Sequence, residues 1–187
     1  QDHLLDARTA VARRHAAKGV LEQIEKFDDY ITAWQVAGPY LKSGLDGTGL
    51  FDVVFDPEKP GADKVQWRVL PAGTSPDRPW LMEVDKFLGG GNRLAYLRTR
   101  IYSQTACQAR FEIGSDDGIK VWLNGKLVHE KYVTRVCAPG QDQVMVNLKK
   151  GKNALMLKIV QGSGDWAFSC RIKIKDGMLV EGLEVAD

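Results

Sequence analysis

From residue 30 onward, apolar residues stand in short runs that are separated by Gly, Pro, Asp and Asn. Apolar and polar side chains alternate most clearly over 144–148 and 155–159, as expected for strands with one buried face. No interval between the runs has a helical period long enough for the crossover of a parallel sheet. Many short strands divided by turn residues are typical of a β-sandwich or barrel. We predict strands over 31–37, 50–54, 65–70, 94–102, 106–113, 118–123, 126–130, 143–148, 153–160 and 166–174.

The first residues of the chain follow a different pattern. Ala, Leu, Arg, Glu and Lys dominate residues 2–27. Apolar residues recur there at near-helical spacing, at Leu4, Val11, Leu21 and Ile24. This pattern predicts an N-terminal α-helix, a helical leader or linker over 1–29 that precedes a β-domain over 30–187. Loops are predicted in three segments rich in Gly, Pro, Asp and Ser, at 41–49, 56–64 and 71–79.

The composition is that of a soluble domain. The chain has 187 residues, a formal charge of +2 and 44% hydrophobic residues. These values suit one globular domain of ordinary size. Together with the strand pattern, they predict a mostly β, antiparallel sandwich with a helical leader. A nucleic-acid partner would require clustered basic residues, which the near-neutral balance does not indicate. No apolar run reaches the roughly 18 residues of a transmembrane helix, so we expect no membrane span.

The segment 114–128, GSDDGIKVWLNGKLV, is the most informative part of the chain. Asn124-Gly125 is a strong hairpin signal, because both residues tolerate the positive φ of a type I′ turn. On the strand before this turn, the apolar face holds Ile119, Val121 and Leu123. The opposite face holds Lys120 and Trp122.

This segment resembles the signature hairpin of protective-antigen-type β-sandwich domains and of galactose-binding-like modules. Those modules are attached to many secreted bacterial glycoside hydrolases and cell-surface proteins. The runs 33–40, 146–158 and 162–168 are similar to further strands of the same modules, so that the resemblance extends over 31–175. The resemblance implies a jelly-roll, galactose-binding-like fold. It also implies a carbohydrate-binding accessory domain of a larger extracytoplasmic protein, whether secreted, periplasmic or on the cell surface.

Asp116 and Asp117 match, residue for residue, an aspartate pair that holds calcium in some sugar-binding domains of the protective-antigen type. The resemblance therefore implies calcium as a cofactor at these two residues. Calcium takes about six to eight oxygen ligands, so other groups would have to complete the shell. The candidates for that role are backbone carbonyls, Asn124, Asp142 and Asp165. A turn in which the Asp side chains accept hydrogen bonds from backbone N–H groups explains the same residues without a metal.

Exposed tryptophans are candidate platforms for a glycan, because a sugar ring can stack its C–H face on the indole. The platform candidates are Trp122, which alternates outward, and Trp166, which we expect to lie in a Gly-rich loop. Trp34 is expected in the core, whereas Trp67 and Trp80 carry no clear signal. Polar partners for the glycan are expected from Lys120, Asn124 and Asp165.

Sequence motifs for catalysis are absent. The chain contains no Gly-x-Ser-x-Gly elbow, no His-Glu-x-x-His motif and no phosphate-binding loop. Its three cysteines match no zinc spacing, and we expect buried free thiols at Cys107 and Cys170. The hypothesis is therefore a non-catalytic module that binds a glycan or polysaccharide. The alternatives are a structural domain that packs against other domains of its parent protein and, less favoured, a carboxylate-dependent glycoside hydrolase or lyase.

Overall fold

The structure is a computed structural model that describes residues 30–73 and 77–174. The predicted helix over 2–27 and the predicted boundary at residue 29 lie outside the described residues. The strands are β1 (Trp34–Tyr40), β2 (Arg68–Leu70), β3 (Met82–Glu83), β4 (Arg93–Ser103), β5 (Cys107–Asp116), β6 (Gly118–Leu123), β7 (Lys126–Lys131), β8 (Asp142–Leu148), β9 (Gly151–Gln161) and β10 (Ala167–Ile174). The short helices are α1 (Gly47–Leu50), a 3-10 helix (Asp56–Glu58) and α2 (Asp85–Leu88).

The strands form two antiparallel sheets that face each other. Within the described residues, the six-stranded sheet has the order β2-β1-β4-β9-β6-β7 and the four-stranded sheet has the order β3-β10-β5-β8. Both sheets contribute buried side chains to one core, among them Leu97, Leu157, Phe111 and Phe168. The prediction of a mostly β, antiparallel sandwich is confirmed.

The alternation predicted around the 118–128 hairpin is also confirmed. Ile119, Val121 and Leu123 belong to the core between the sheets, and Trp122 packs on the opposite face. Asn124 and Gly125 adopt φ values of 52° and 79° at the turn. Leu123 pairs with Lys126 across this turn, which makes it the two-residue hairpin that the sequence predicts.

The range 50–54 is not the strand that its apolar residues predict. The Asp46 carboxylate accepts a hydrogen bond from the Gly49 N–H (2.8 Å) and caps α1, after which the chain turns. Leu50 and Phe51 instead pack on the outer face of the six-stranded sheet beside Tyr96. The apolar run therefore reflects the burial of the segment that connects β1 to β2, residues 41–67, against the sheet; we call it the connecting segment.

A buried ion pair fastens this connecting segment to the sheet. Lys158 lies on the outer face of β9 and is fully buried. Its ammonium donates hydrogen bonds to the backbone oxygen of Val53 (2.7 Å) and to Glu58 Oε1 (3.0 Å). The Tyr96 hydroxyl donates to the same Glu58 oxygen. One carboxylate thus satisfies two buried groups of the sheet.

None of the helices in residues 30–73 and 77–174 is long and apolar enough to cross a bilayer.

We predict that Glu58→Gln and Lys158→Met each lower the free energy of unfolding by about 3 kcal/mol, because each leaves one buried polar group without its charged partner. The double variant should lose less than the sum of the two losses, since it removes both charges. Urea unfolding measures the three values. Asp56→Asn is the matched control, because Asp56 pairs with Lys59 (2.8 Å) in solvent, where loss of an ion pair costs about 1 kcal/mol or less. Strictly additive losses in the double variant would contradict the coupling.

Candidate functional site

A row of neighbouring side chains crosses the outer face of the six-stranded sheet from edge to edge. In register order its members are Val69, Gln35, Arg98, Met156, Trp122 and Leu127. The two ends of the row, Val69 and Leu127, are exposed hydrophobic residues. The central members are half-buried.

The centre of this row is the floor of a groove of about 630 Å³. One wall of the groove is the segment 57–63, and Trp67 and Arg100 also line it. The Arg98 guanidinium lies over the Trp67 ring, with its Cζ 4.3 Å from the ring centroid, which is a cation–π contact. We call this site the Trp122 groove and define it by Trp122, Met156, Arg98, Arg100, Trp67 and the segment 57–63.

The wall of the Trp122 groove is held in place by the same ion pair that fastens the connecting segment. Glu58 lines the groove and is bonded to Lys158 and Tyr96. Its charge is therefore matched by Lys158 within the protein. The groove has a position fixed by buried contacts, which reduces the ordering cost of binding.

Lys120 lies on the same face as Trp122, but its ammonium already has partners. It forms ion pairs with Asp52 (2.7 Å) and Glu130 (2.9 Å) and stands 4.4 Å from the centroid of the Phe51 ring. These contacts hold the connecting segment and β7 to β6. Lys120 therefore has a structural role, and the ligand-binding role expected for it stays a prediction.

Asn124 also has a structural role. Its Oδ1 accepts a hydrogen bond from the Ala154 N–H (3.0 Å), and its Nδ2 donates to Asn153 Oδ1 (3.0 Å). These bonds join the 124–125 turn to β9. The side-chain polar atoms expected to meet a ligand are used to fix the hairpin.

Trp166 is fully buried in the core between the sheets, so the expectation of an exposed platform there is wrong. The backbone N–H groups of Val84 and Asp85 both donate to the Trp166 carbonyl (2.8 and 3.0 Å), and the indole packs among the core residues. The Gly-rich loop ends one residue earlier, at exposed Asp165. Trp34 is fully buried, as predicted.

Asp116 and Asp117 form a corner between the sheets and are joined by a cis peptide bond. Both carboxylate oxygens of Asp117 accept backbone hydrogen bonds, Oδ1 from Arg135 (3.0 Å) and Oδ2 from Gly162 (2.9 Å). The Asp117 N–H donates to the Val160 carbonyl (2.9 Å). Asp117 therefore joins the β7–β8 loop and the β9–β10 loop to the end of β9. Its side chain accepts backbone hydrogen bonds, as expected if the motif is a turn without a metal.

The Asp116 carboxylate is in the opposite situation. The residue is 5% exposed, and no hydrogen bond to its carboxylate is formed by residues 30–73 or 77–174. Burial is the main cause that raises the pKa of Asp116 to about 7. Nearby negative charges add to this effect, those of Asp117, Asp165 and Asp85.

The negative charge of this corner would suit a cation, but the described residues do not form a complete ligand shell around it. Asp116 is a buried carboxylate with like charges around it, which is an environment that a cation would stabilise. However, no three His, Cys, Asp or Glu side chains of the described part of the chain converge as metal ligands. Asp142, expected as a further ligand, is paired with Arg135 and with Lys131 (3.0 Å). Asp165 is the candidate that stays exposed and near Asp116.

Two residues of the groove, Trp67 and Arg98, are not apparent as site residues from the sequence. Trp67 lies in a short run between predicted loops, and Arg98 is one basic residue among many. The alternation in β4 could have indicated the arginines, because it places Arg98 and Arg100 on the face opposite the core residues Leu97 and Ile101. All three cysteines are free, with Cys137 and Cys170 buried and Cys107 half-buried.

No protein-family model and no curated protein matches the sequence. Among solved structures, the fold is similar to that of an anti-sigma factor domain-containing protein (TM-score 0.50, 13% identity, 84% of this chain and 49% of that chain covered). A PA14 sugar-binding domain from an RTX adhesin has a TM-score of 0.48 at 12% identity, with 83% and 95% covered. The PA14 domain of the antifreeze protein MpAFP has 0.41 at 16% identity, with 84% and 70% covered. At such identities the likeness concerns the fold alone. The chain spans about half the length (49%) of the anti-sigma factor domain-containing protein.

We predict that, in the presence of a chelator, the melting temperature falls as pH rises from about 5.5 to about 7, above the range in which the carboxyls of lowered pKa, Asp52, Glu112 and Asp142, titrate. A carboxyl whose pKa is raised on folding binds more protons in the folded state across this window, so stability is present below the unfolded pKa and is lost as pH passes the folded value near 7. Asp116→Asn should remove most of this fall. Asp63→Asn is the matched control, because it removes an exposed carboxylate that does not act on Asp116, and it should leave the fall in place. An unchanged pH profile in Asp116→Asn would contradict the assignment.

Proposed function

We propose that the chain is a non-catalytic carbohydrate-binding module whose ligand lies in the Trp122 groove. The observation that carries the proposal is the half-buried indole of Trp122 on a rigid central strand, beside Met156 and Arg98 and below the wall formed by 57–63. An apolar surface of this kind, flanked by polar side chains, matches a sugar ring, which has an apolar C–H face and a polar edge.

The shape of the site supports binding of an extended saccharide. The groove lies on a row that continues to both edges of the six-stranded sheet, where Val69 and Leu127 are exposed. A polymer could therefore pass across the sheet without an end being enclosed. Trp67 offers a second aromatic ring at one side of the same groove.

The charged groups of the groove favour binding over hydrolysis. A glycoside hydrolase uses two carboxyl groups about 5–10 Å apart across the scissile bond. Of the carboxylates that line the groove, Glu58 is bonded to Lys158 and Tyr96, and Asp63 is exposed on the wall. We therefore propose a binding role without catalysis.

We further propose that the module is a jelly-roll domain of the galactose-binding or protective-antigen type within a larger extracytoplasmic bacterial protein. The Ser115-Asp116-Asp117-Gly118 corner and the 118–128 hairpin support this finer assignment. Other domains of the same parent protein are its expected neighbours. Calcium is part of this proposal, with Asp116 as the first ligand and Asp165 as the second.

We predict that Trp122→Ala weakens binding to a glycan panel, immobilised on an array, by tenfold or more, or about 1.4 kcal/mol, because the stacking surface is lost. Trp67→Ala should weaken it less. Trp80→Ala is the matched control: it removes a half-buried indole that packs with Leu81 and Cys137, outside the groove, and should leave affinity unchanged. Trp122→Phe retains part of the surface and should retain part of the affinity if the variant is folded. Equal affinity of Trp122→Ala and the parent protein would refute the site.

We predict that calcium raises the melting temperature at pH 8 and that a chelator reverses the rise, because a bound cation stabilises the folded state by mass action. Asp116→Asn should abolish the rise, and Asp165→Asn should reduce it. Glu130→Gln, which removes an exposed carboxylate paired with Lys120, is the control and should leave the calcium response intact. A calcium response of equal size in Asp116→Asn would place the ion elsewhere.

A further inference from the structure

Two arginines of β4 line the Trp122 groove without carboxylate partners. Arg98 uses its Nε to donate a hydrogen bond to Gln35 Oε1 (2.8 Å), and its plane lies over Trp67. Its terminal nitrogens bond to nothing in residues 30–73 and 77–174. Arg100 is exposed and has no hydrogen bond or ion pair within that part of the chain. The Nε end of the Arg98 guanidinium is thus held in place, whereas its terminal nitrogens are available to a ligand.

Other arginines of the sandwich show what these two lack. Arg110 and Arg171 both pair with Glu112, and Arg135 pairs with Asp142. The groove offers no such partner to Arg98 and Arg100. Arg68, Arg78 and Arg93 also have no carboxylate partner among the described residues. What distinguishes Arg98 and Arg100 from these three is that both line the groove.

The remaining charges of the groove do not neutralise the two arginines. Glu58 is matched by Lys158, and Lys59 is paired with Asp56 (2.8 Å). Asp63, exposed on the wall, is the one lining carboxylate in the described residues that no cation matches. Two guanidinium groups therefore face one carboxylate, which leaves the groove with an excess of positive charge.

The two guanidinium groups are also close enough to affect each other. Burial, and then the positive charge of Arg100, lower the pKa of Arg98. Ala154 is the residue opposite Arg100 on β9, and its small side chain leaves space beside the cation. The geometry is that of an open pair of forked donors on a rigid strand.

We infer that the groove selects an anionic saccharide, whose carboxylate or sulfate group is bound by Arg98 and Arg100 while a sugar ring stacks on Trp122. This inference rests on the proposed glycan-binding function and names the ligand class. A guanidinium group donates two parallel hydrogen bonds to a carboxylate or sulfate, and such charge-assisted bonds are stronger than those to a neutral hydroxyl. An anionic ligand also removes the repulsion between the two cations.

The test compares glycans that differ only in charge. Isothermal titration calorimetry measures binding to polygalacturonate and to its fully methyl-esterified form, and to a sulfated galactan and its desulfated form. We expect the charged member of at least one pair to bind roughly tenfold tighter than its neutral form at 150 mM salt. The two pairs distinguish a carboxylate ligand from a sulfate ligand.

Variants of the two arginines test whether these residues cause the preference for a charged glycan. Arg100→Gln and Arg98→Gln should each remove most of the preference for the charged glycan, and Arg100→Lys should retain part of it, because the charge remains but the forked donor geometry is lost. Lys42→Gln is the matched control, since it removes one exposed positive charge outside the groove and should leave the preference unchanged. An equal loss in Lys42→Gln would indicate non-specific attraction and would overturn the inference.

The outcomes separate this inference from the proposed function. If charged and neutral glycans bind equally and Trp122→Ala abolishes both, glycan binding stands and anion selection is refuted. If none of the four glycans and no member of the glycan panel binds, the proposed function fails and this inference fails with it. A charge preference that survives Arg98→Gln and Arg100→Gln overturns the assignment to these residues.

Discussion

The ion pair between Lys158 and Glu58 is the interaction on which the rest of the outer face depends. A lysine on the central strand β9 faces away from the core, where a bare sheet would expose it to water. Here the connecting segment covers it, and the Val53 carbonyl and the Glu58 carboxylate take the place of water around the ammonium. A buried charge is costly unless it is paired. The segment is therefore held in the one position that places Glu58 against Lys158. The wall of the Trp122 groove follows from that position.

The cost of burying a charge without a partner also explains the corner at Asp116 and Asp117, where one carboxylate has partners and the other has none. Asp117 is buried and satisfied, because two backbone N–H groups meet its two oxygens. Asp116 is buried without such donors and stands among carboxylates, so its ionisation opposes folding at neutral pH. Adjacent residues of one motif thus differ in role: one holds the loops together, and the other keeps a charge that only a proton or an external cation can neutralise.

The strands were predictable from the sequence because their signals are local. The alternation in β8 and β9 and the Asn124-Gly125 turn each specify backbone geometry within a few residues. The groove was not predictable in the same way, because its wall and floor come from residues about a hundred positions apart, such as Glu58 and Met156. The prediction of an exposed Trp166 is wrong for a related reason. Trp166 and Trp122 both lie near turns, and tertiary packing, not the local sequence, places the first indole between the sheets and the second on the outer face.

The two candidate sites share one strand and have opposite charge. β6 begins beside Asp117 and carries Trp122 five residues later, roughly 16 Å along the strand. The corner at one end is acidic, whereas the groove at the other end has unpaired guanidinium groups. An anionic saccharide, the ligand class inferred above, would be attracted to the groove and repelled from the corner. The connecting segment separates the two sites on this face, because Phe51 packs against Lys120 on β6 between them. Calcium at Asp116 would therefore act on the stability of the corner, and the stacking contact at Trp122 would stay the same.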